Sequence, residues 1–194
     1  MNSGLYALKP WYAGRLSPVR RRLVAAHVPP SAITAAGIFL GGCAGGALAL
    51  LRPGPTAGVV VAALLAGRLA CANLDGGVAR DSGRSTRRGA VFNEVGDRLA
   101  ELAALAGCVA IAPLWLVCAT GLAATMPSWV ALSGAAAGLG RVQGGPVGKT
   151  ERCLLLALLG GTGLVVVFLS IIAIGSALTA IVRLVRVTRM AGRK

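Results

Sequence analysis

The chain has 194 residues, of which 56% are hydrophobic and only 13% are charged, and its mean hydropathy is +0.75. Soluble globular proteins carry about a quarter charged residues, so the composition excludes most soluble folds. It also excludes a disordered basic protein, which would lack the apolar residues. An all-α integral membrane protein with basic loops remains, and the length predicts a single domain over residues 1–194.

The net charge of +14 comes from 20 Lys and Arg against 6 Asp and Glu. Aromatic residues make up 4% of the chain, too few for stacking on nucleic-acid bases. We therefore expect no nucleic-acid partner. Basic loops facing anionic membrane lipids account for the charge.

A helix needs about 20 mostly apolar residues to cross a bilayer, and candidate helices with apolar stretches recur along the chain. The first four cover residues 32–51, 56–72 with a continuation to 77, 89–117 and 127–139. A turn is predicted at 52–55, where two prolines flank a glycine, a basic loop at 80–88, and a Gly-rich polar loop at 141–152. The last apolar stretch, 153–182, is too long for one span, so two helices are expected, with Gly160, Gly161 and Gly163 among the possible break points.

Basic residues predict the topology. They concentrate before residue 23, in the loops at 80–88 and 141–152, and after residue 182, whereas none lies between Leu99 and Gly140. Alternate loops are therefore basic, as the positive-inside rule expects for cytoplasmic loops. The pattern predicts six transmembrane helices over 31–190 in an inner or plasma membrane, with both termini cytoplasmic. Residues 1–30 are expected to form an amphipathic interfacial segment.

Five of the six acidic residues lie within 27 positions of an otherwise acid-free apolar chain. Carboxylates at membrane depth are costly and usually functional. On a helix, Asn93, Glu94, Asp97 and Glu101 share an arc of roughly 100°, and Asp75 ends the preceding helix. Oxygen ligands from two helices suit Mg²⁺ or Mn²⁺ holding a diphosphate.

Two simpler readings of the charged residues stay open. The acids could merely pair with nearby arginines, and the candidates are Arg80, Arg84, Arg87, Arg88 and Arg98. Arg68, which lies inside the second predicted span, either extends towards the membrane surface or faces the cavity and pairs with an acid.

The segment Asp75-Gly-Gly-Val-Ala-Arg80, followed by Gly89, Asn93 and Asp97, resembles the signature of the CDP-alcohol phosphotransferases. That signature reads D-x-x-D-G-x-x-A-R, about eight residues, then G-x-x-x-D-x-x-x-D. The segment Val28 to Thr34 resembles the T-P-N-x-x-T motif before the family's first span, and Gly148-Lys-Thr150 resembles its G-K-x-K-T region. The resemblance covers about residues 15–190 and implies six spans.

Two positions depart from the signature. Its first Asp falls on Ala72 and its third on Asn93, and both are usually metal ligands. Either the site is rebuilt, with charge restored by Glu94 or Glu101, or the chain is a catalytically degenerate lipid- or nucleotide-binding protein. The strings N-E-x-x-D and G-G-P-x-G-K resemble a divergent branch of the family, and we favour the rebuilt site. A small cation-coupled transporter is a third reading, but its carboxylates should lie near mid-bilayer.

The resemblance implies an enzyme of phospholipid biosynthesis with its active site on the cytoplasmic side. It would transfer a phosphatidyl or related group from CDP-diacylglycerol, or another CDP-linked alcohol, to an unidentified acceptor alcohol and release CMP. Asp97 would be the base, and homodimers are common in the family. The implied metal ligands are Asp75, Asn93, Glu94, Asp97 and Glu101. The implied nucleotide-binding residues are Asn73, Gly76, Gly77, Ala79, Arg80 and Gly89, and the implied acceptor-binding residues are Arg141, Lys149 and Arg152.

Overall fold

The structure is a computed structural model that describes residues 12 and 14–192. In this part of the chain all regular structure is helical. The α-helices are α1 (Ser17–Ala25), α2 (Pro30–Leu50), α3 (Pro55–Asp81), α4 (Arg87–Ala106), α5 (Leu114–Ala136), α6 (Lys149–Thr162) and α7 (Val165–Ala191). A 3₁₀ turn, Gly107–Ala110, continues α4. The all-α prediction is confirmed for these residues.

The predicted division of the last apolar stretch into two helices is confirmed. Helix α6 ends at Thr162, and Gly163 follows in the left-handed conformation with φ +73°. The N–H of Gly163 donates to the carbonyl of Leu159 at 2.8 Å. Glycine adopts this conformation at low cost and commonly ends helices in this way.

Prolines lie at two of the helix boundaries where the structure differs from the prediction. The third predicted helix was extended to residue 117, but α4 and its 3₁₀ turn end at Ala110, ahead of Pro113. The fourth predicted helix begins at about Pro127 with an earlier start left open, and α5 begins at Leu114 and contains Pro127. A proline restricts the residue before it and interrupts most helices, but membrane helices tolerate interior prolines.

Two further boundaries position the candidate site. Helix α3 continues to Asp81, so the segment from Asp75 to Arg80 is helical rather than part of a loop. Helix α6 begins at Lys149, which places Arg152 within its first turn. The residues implied for acceptor binding are therefore partly on a helix.

The helices pack around a shared apolar core. Helix α2 lies against α3 and α4, α5 lies along α7, and α6 packs on α3. The core contains Ala44, Leu48, Val61, Leu65, Leu105, Leu116, Leu159 and Ile172 among other buried residues. Many large apolar side chains, such as Phe39 and Leu50, are exposed on the outside, as expected for surfaces that face lipid.

Four described helices are long and apolar enough to cross a membrane: α2, α3, α5 and α7. Helix α4 carries six charged residues, and α6 has 14 residues, fewer than the about 20 that an untilted span needs. The six-span count therefore stays a prediction, as does the interfacial position of α1. Residues 1–11 of the predicted interfacial segment and the last two basic residues lie outside the described part.

Glycines let α2 approach the backbone of α4. A Cβ at Gly41 would overlap the backbone of Ala100, and one at Gly45 would overlap the carbonyl of Ala103. Small residues at such crossings are the usual basis of close helix packing in membranes. This contact fixes α4, and with it the acidic residues, against α2.

We predict that Gly45→Ala destabilises the protein by about 1–3 kcal/mol, because the added methyl group forces α2 and α4 apart. The neighbouring Gly46→Ala is the matched control, since a Cβ there meets nothing within 4 Å. It should be neutral or stabilising by up to about 1 kcal/mol. Unfolding of both variants in detergent measures the difference, and equal effects would contradict the packing described.

Candidate active site

Three helices hold the carboxylate of Asp75, which is 3% exposed in α3. Its Oδ2 accepts a hydrogen bond from Oγ1 of Thr34 in α2 at 2.9 Å. Its Oδ1 accepts from Nδ2 of Asn93 in α4 at 3.3 Å and from the N–H of Gly76 at 2.6 Å. A buried carboxylate with this many donors is held in one orientation.

Asp97 of α4 lies close to Asp75 and is held from two sides. Its Oδ2 is 2.5 Å from Nζ of Lys149, and its backbone carbonyl accepts from Nη2 of Arg68 at 2.9 Å. Asp75 and Asp97 line one cavity of about 10 Å³, together with Thr34, Arg68 and other residues of α2, α3 and α4. This volume is close to the minimum that holds one water molecule.

A row of three ion pairs joins α4 to the segment 141–152. Glu94 pairs with Arg141 at 2.7 Å, Asp97 with Lys149 at 2.5 Å, and Glu101 with Arg152 at 2.5 Å. Glu101 also contacts Arg98 at 2.8 Å. We call the three contacts between α4 and 141–152 the ion-pair row. The three residues implied for acceptor binding are thus all in contact with acids of α4.

The five implied metal ligands divide into two groups. Asp75, Asn93 and Asp97 lie at or beside the shared cavity, whereas Glu94 and Glu101 are held by arginines and do not line it. Within the described residues, no group of three or more His, Cys, Asp or Glu is placed to hold a metal ion. Two carboxylates and one amide fit a single Mg²⁺ or Mn²⁺, because such ions often take one or two carboxylates plus substrate phosphates.

The simpler reading, in which the acidic residues pair with nearby arginines, is observed at one position of the described residues. Arg98 contacts Glu101, three residues along the same helix. The other partners come from distant segments: the 141–152 segment supplies those of the ion-pair row, and Arg20 of α1 contacts Asp81 at 2.7 Å. Long-range pairing, not local pairing, therefore dominates.

The implied nucleotide-binding residues lie on the last turns of α3 and the first turn of α4. Gly77 is buried beneath Arg20, since a Cβ there would lie 2.7 Å from Cδ of that arginine. A Cβ at Gly76 would lie 3.4 Å from Nη1 of Arg80. Asn73 and Ala79 are half-buried on α3, and the N–H of Gly89 donates to Oγ1 of Thr86 at 3.0 Å, which caps α4.

Helix α7 fixes the loop that precedes α6. Nε of Arg183 donates to the carbonyl of Gly144 at 2.9 Å, and Nη1 of Arg186 donates to that of Gln143 at 2.9 Å. The N–H of Val147 donates to Oγ1 of Thr179 at 3.0 Å. These contacts set where the cations of the ion-pair row meet α4, and sequence reasoning gave them no role.

Two site residues were also missed by the sequence. Thr34 lies in the segment that resembles T-P-N-x-x-T, so the sequence carries a signal for it. The sequence leaves two orientations open for Arg68, and in the structure this residue is buried, with 2% of its surface exposed. It does not reach the membrane surface, and none of the ion pairs among the described residues includes it.

No protein-family model matches the chain. The chain is 30% identical over 168 residues to "Inner membrane protein YnbA" of Escherichia coli strain K12, which covers 80% of this chain and 78% of that protein. The chain belongs to the same family as YnbA. That relative is named an inner membrane protein, and this chain has four described helices that are long and apolar enough to cross a membrane.

Two solved structures share the fold. Both are phosphatidylinositol phosphate synthase (PgsA1) of Mycobacterium tuberculosis, a CDP-alcohol phosphotransferase. The first has CDP-DAG bound, with a TM-score of 0.69, 22% identity, and coverage of 88% of this chain and 92% of that one. The second is in complex with manganese and citrate, with a TM-score of 0.68, 23% identity, and coverage of 88% of each chain. The fold is therefore the one that the motif resemblance implied.

Replacing Glu101 should destabilise the protein strongly. We expect Glu101→Gln to cost about 3–5 kcal/mol, because it leaves the buried Arg152 without a counter-charge. Asp81→Asn is the control: its pair with Arg20 is partly exposed, at 41% and 32%, and should contribute about 1 kcal/mol or less. Unfolding in detergent compares the two, and a small effect of both would contradict a stabilising role for the buried pair.

Proposed function

We propose that the chain transfers a phosphatidyl or related group from a CDP-linked lipid to an acceptor alcohol and releases CMP, on the cytoplasmic side of the inner membrane. The observation that carries this is the meeting of Asp75 and Asp97 at one cavity. These are the two aspartates that match the family signature. The shared fold with PgsA1, which binds CDP-DAG, supports the choice of donor.

In the proposed reaction Asp97 accepts the proton of the acceptor hydroxyl. The hydroxyl oxygen bonds to the phosphorus that bears the lipid, the bond from that phosphorus to the bridging oxygen breaks, and CMP leaves with the electron pair. Lys149 contacts the carboxylate of Asp97 at 2.5 Å and orients it. The contact of Arg68 with the Asp97 carbonyl holds the helix backbone at this point.

We propose that Asp75, Asn93 and Asp97 hold one Mg²⁺ or Mn²⁺. When bound, such an ion draws negative charge from the phosphate oxygens and favours departure of the leaving group. Glu94 and Glu101 serve instead to anchor α4 to the 141–152 segment. Asp75 is pre-oriented for this role because Thr34 fixes one of its carboxylate oxygens.

We assign nucleotide binding to the adjoining ends of α3 and α4, with the residues Asn73, Gly76, Gly77, Ala79, Arg80 and Gly89. The glycines bring the backbone close to the ligand, and Arg80 offers a guanidinium to its phosphates. Arg141 and Lys149 are proposed to receive a phosphate on the acceptor. Arg141 is the more accessible of the two, since its side chain is 47% exposed.

Binding of CDP-diacylglycerol to the purified protein tests the donor. We expect it to raise the unfolding temperature in detergent, more strongly with Mn²⁺ or Mg²⁺ present, since a ligand that binds the folded state stabilises it. Asp75→Asn should abolish the metal-dependent part, and Asp81→Asn should retain it. No stabilisation of the wild-type protein under any condition would contradict the proposed donor.

Turnover tests the role of Asp97. We predict that Asp97→Asn still binds CDP-diacylglycerol but releases CMP at least about 100-fold more slowly, the usual scale for loss of a general base. Release is measured with a panel of acceptor alcohols, and Asp81→Asn is again the control. Undiminished release by Asp97→Asn would refute its role as the base. Donor binding without release by the wild-type protein would favour the non-catalytic reading.

A further inference from the structure

Arg68 is a fully buried cation in the middle of α3 that forms no ion pair with a carboxylate of the described residues. Its Nη2 donates to the carbonyl of Asp97 at 2.9 Å, and its Nη1 contacts Sγ of Cys153 at 3.6 Å. Its Nε has no hydrogen-bond partner. An arginine cannot escape this situation by losing its proton.

The other buried cations of the site differ from Arg68. Arg152 pairs with Glu101, and Lys149 pairs with Asp97. Glu101 lines the deeper cavity beside Arg68, but Arg98 and Arg152 already contact both oxygens of its carboxylate. A buried charge without a partner is strongly unfavourable. The arrangement therefore calls for a negative group that arrives from outside the chain.

The position of Arg68 indicates where such a group would bind. Arg68 lines the cavity that Asp75 and Asp97 share, and it also lines a second cavity of about 10 Å³ beside Glu101 and Arg152. It is the only residue that borders both. Seven residues separate it from Asp75 on α3, which places it roughly 10 Å deeper along the helix axis. Arg68 therefore lies at the deeper end of the proposed reaction site.

We propose that Arg68 binds an oxygen of a phosphate-class anion that enters the cavity between Asp75 and Asp97. The planar guanidinium suits phosphate oxygens, which it contacts through paired N–H groups. The volume of the cavity accommodates one oxygen-sized group rather than a whole headgroup. Identification of the anion with the diphosphate of a CDP-linked lipid rests on the proposed function, but the anion site itself does not.

Thermal unfolding of the full chain in detergent, at one fixed Mn²⁺ concentration, tests the site with two probes: inorganic pyrophosphate and CDP-diacylglycerol. Arg68→Met removes the charge and keeps the side-chain length, and Arg68→Lys keeps the charge but loses the paired N–H groups. Arg52→Met, in the exposed turn between α2 and α3, is the control. We expect both dissociation constants to rise at least about tenfold in Arg68→Met, less in Arg68→Lys, and not in Arg52→Met.

The unfolding temperature measured without any anion distinguishes an effect of the substitution on anion binding from an effect on folding stability. Arg68→Met loses the bond to the Asp97 carbonyl, so it should unfold at a somewhat lower temperature than the wild-type protein, and its ligand-induced shifts should fall as well. A purely structural arginine would lower that temperature and leave the ligand-induced shifts unchanged, which would overturn the proposal. If Arg68→Met fails to fold, Arg68→Lys decides, and unchanged pyrophosphate affinity in that variant would overturn the proposal as well.

The two probes distinguish the failure of this inference from the failure of the proposed function. Arg68-dependent binding of pyrophosphate, without binding of CDP-diacylglycerol, would support the anion site and refute the donor. Equal binding of CDP-diacylglycerol by the wild type and both Arg68 variants would support the donor and refute the anion site. If neither probe stabilises the wild-type protein, both are refuted.

Discussion

The ion-pair row between α4 and the segment 141–152 is the interaction on which the rest of the site depends. Acidic side chains in an apolar protein are costly unless a cation or hydrogen-bond donors meet them, and here three acids at positions 94, 97 and 101 each meet a cation. The pairing determines how α4 lies relative to α6. Because α2 packs on the other side of α4 through its glycines, the same helix is fixed from both directions. Asp75 and Asp97 line one cavity as a result.

The packing of these helices also determines which charged side chains surround the cavity of the site. Asp75 and Asp97 contribute two negative charges to one cavity, and Lys149 and Arg68 contribute two positive charges beside them. These four charges cancel in sum, but only Asp97 and Lys149 form an ion pair, and neither Asp75 nor Arg68 is in an ion pair of the described residues. One divalent cation and one diphosphate would preserve that neutrality, since their charges cancel. This balance favours a site that takes metal and phosphate together, consistent with the proposed transfer between a CDP-linked lipid and an alcohol.

The sequence could predict the helices, the acidic face and the family resemblance, because each depends on residues close together in the chain. Hydropathy and glycine placement gave the split between α6 and α7. The sequence could not predict that Lys149 meets Asp97, 52 residues away, or that Thr34 meets Asp75, because such contacts depend on how α2, α4 and α6 pack. It assigned Glu94 and Glu101 to a metal and Arg152 to an acceptor, since each residue alone suits that role. The pairing of Glu94 with Arg141 and of Glu101 with Arg152 is visible only in the three-dimensional structure. Two helix boundaries, near Pro113 and Pro127, differ from the prediction. A proline interrupts most helices, but a helix in a membrane tolerates one in its interior.

A structure of the protein in complex with CDP-diacylglycerol and Mn²⁺ tests the central claim most directly, with the anomalous signal of manganese locating the metal. The account predicts one manganese ion coordinated by Asp75 and Asp97 with Asn93 beside it, and a diphosphate between that ion and Arg68. A diphosphate bound away from this cavity, or a manganese ion held by Glu94 and Glu101 with the ion-pair row broken, would contradict it.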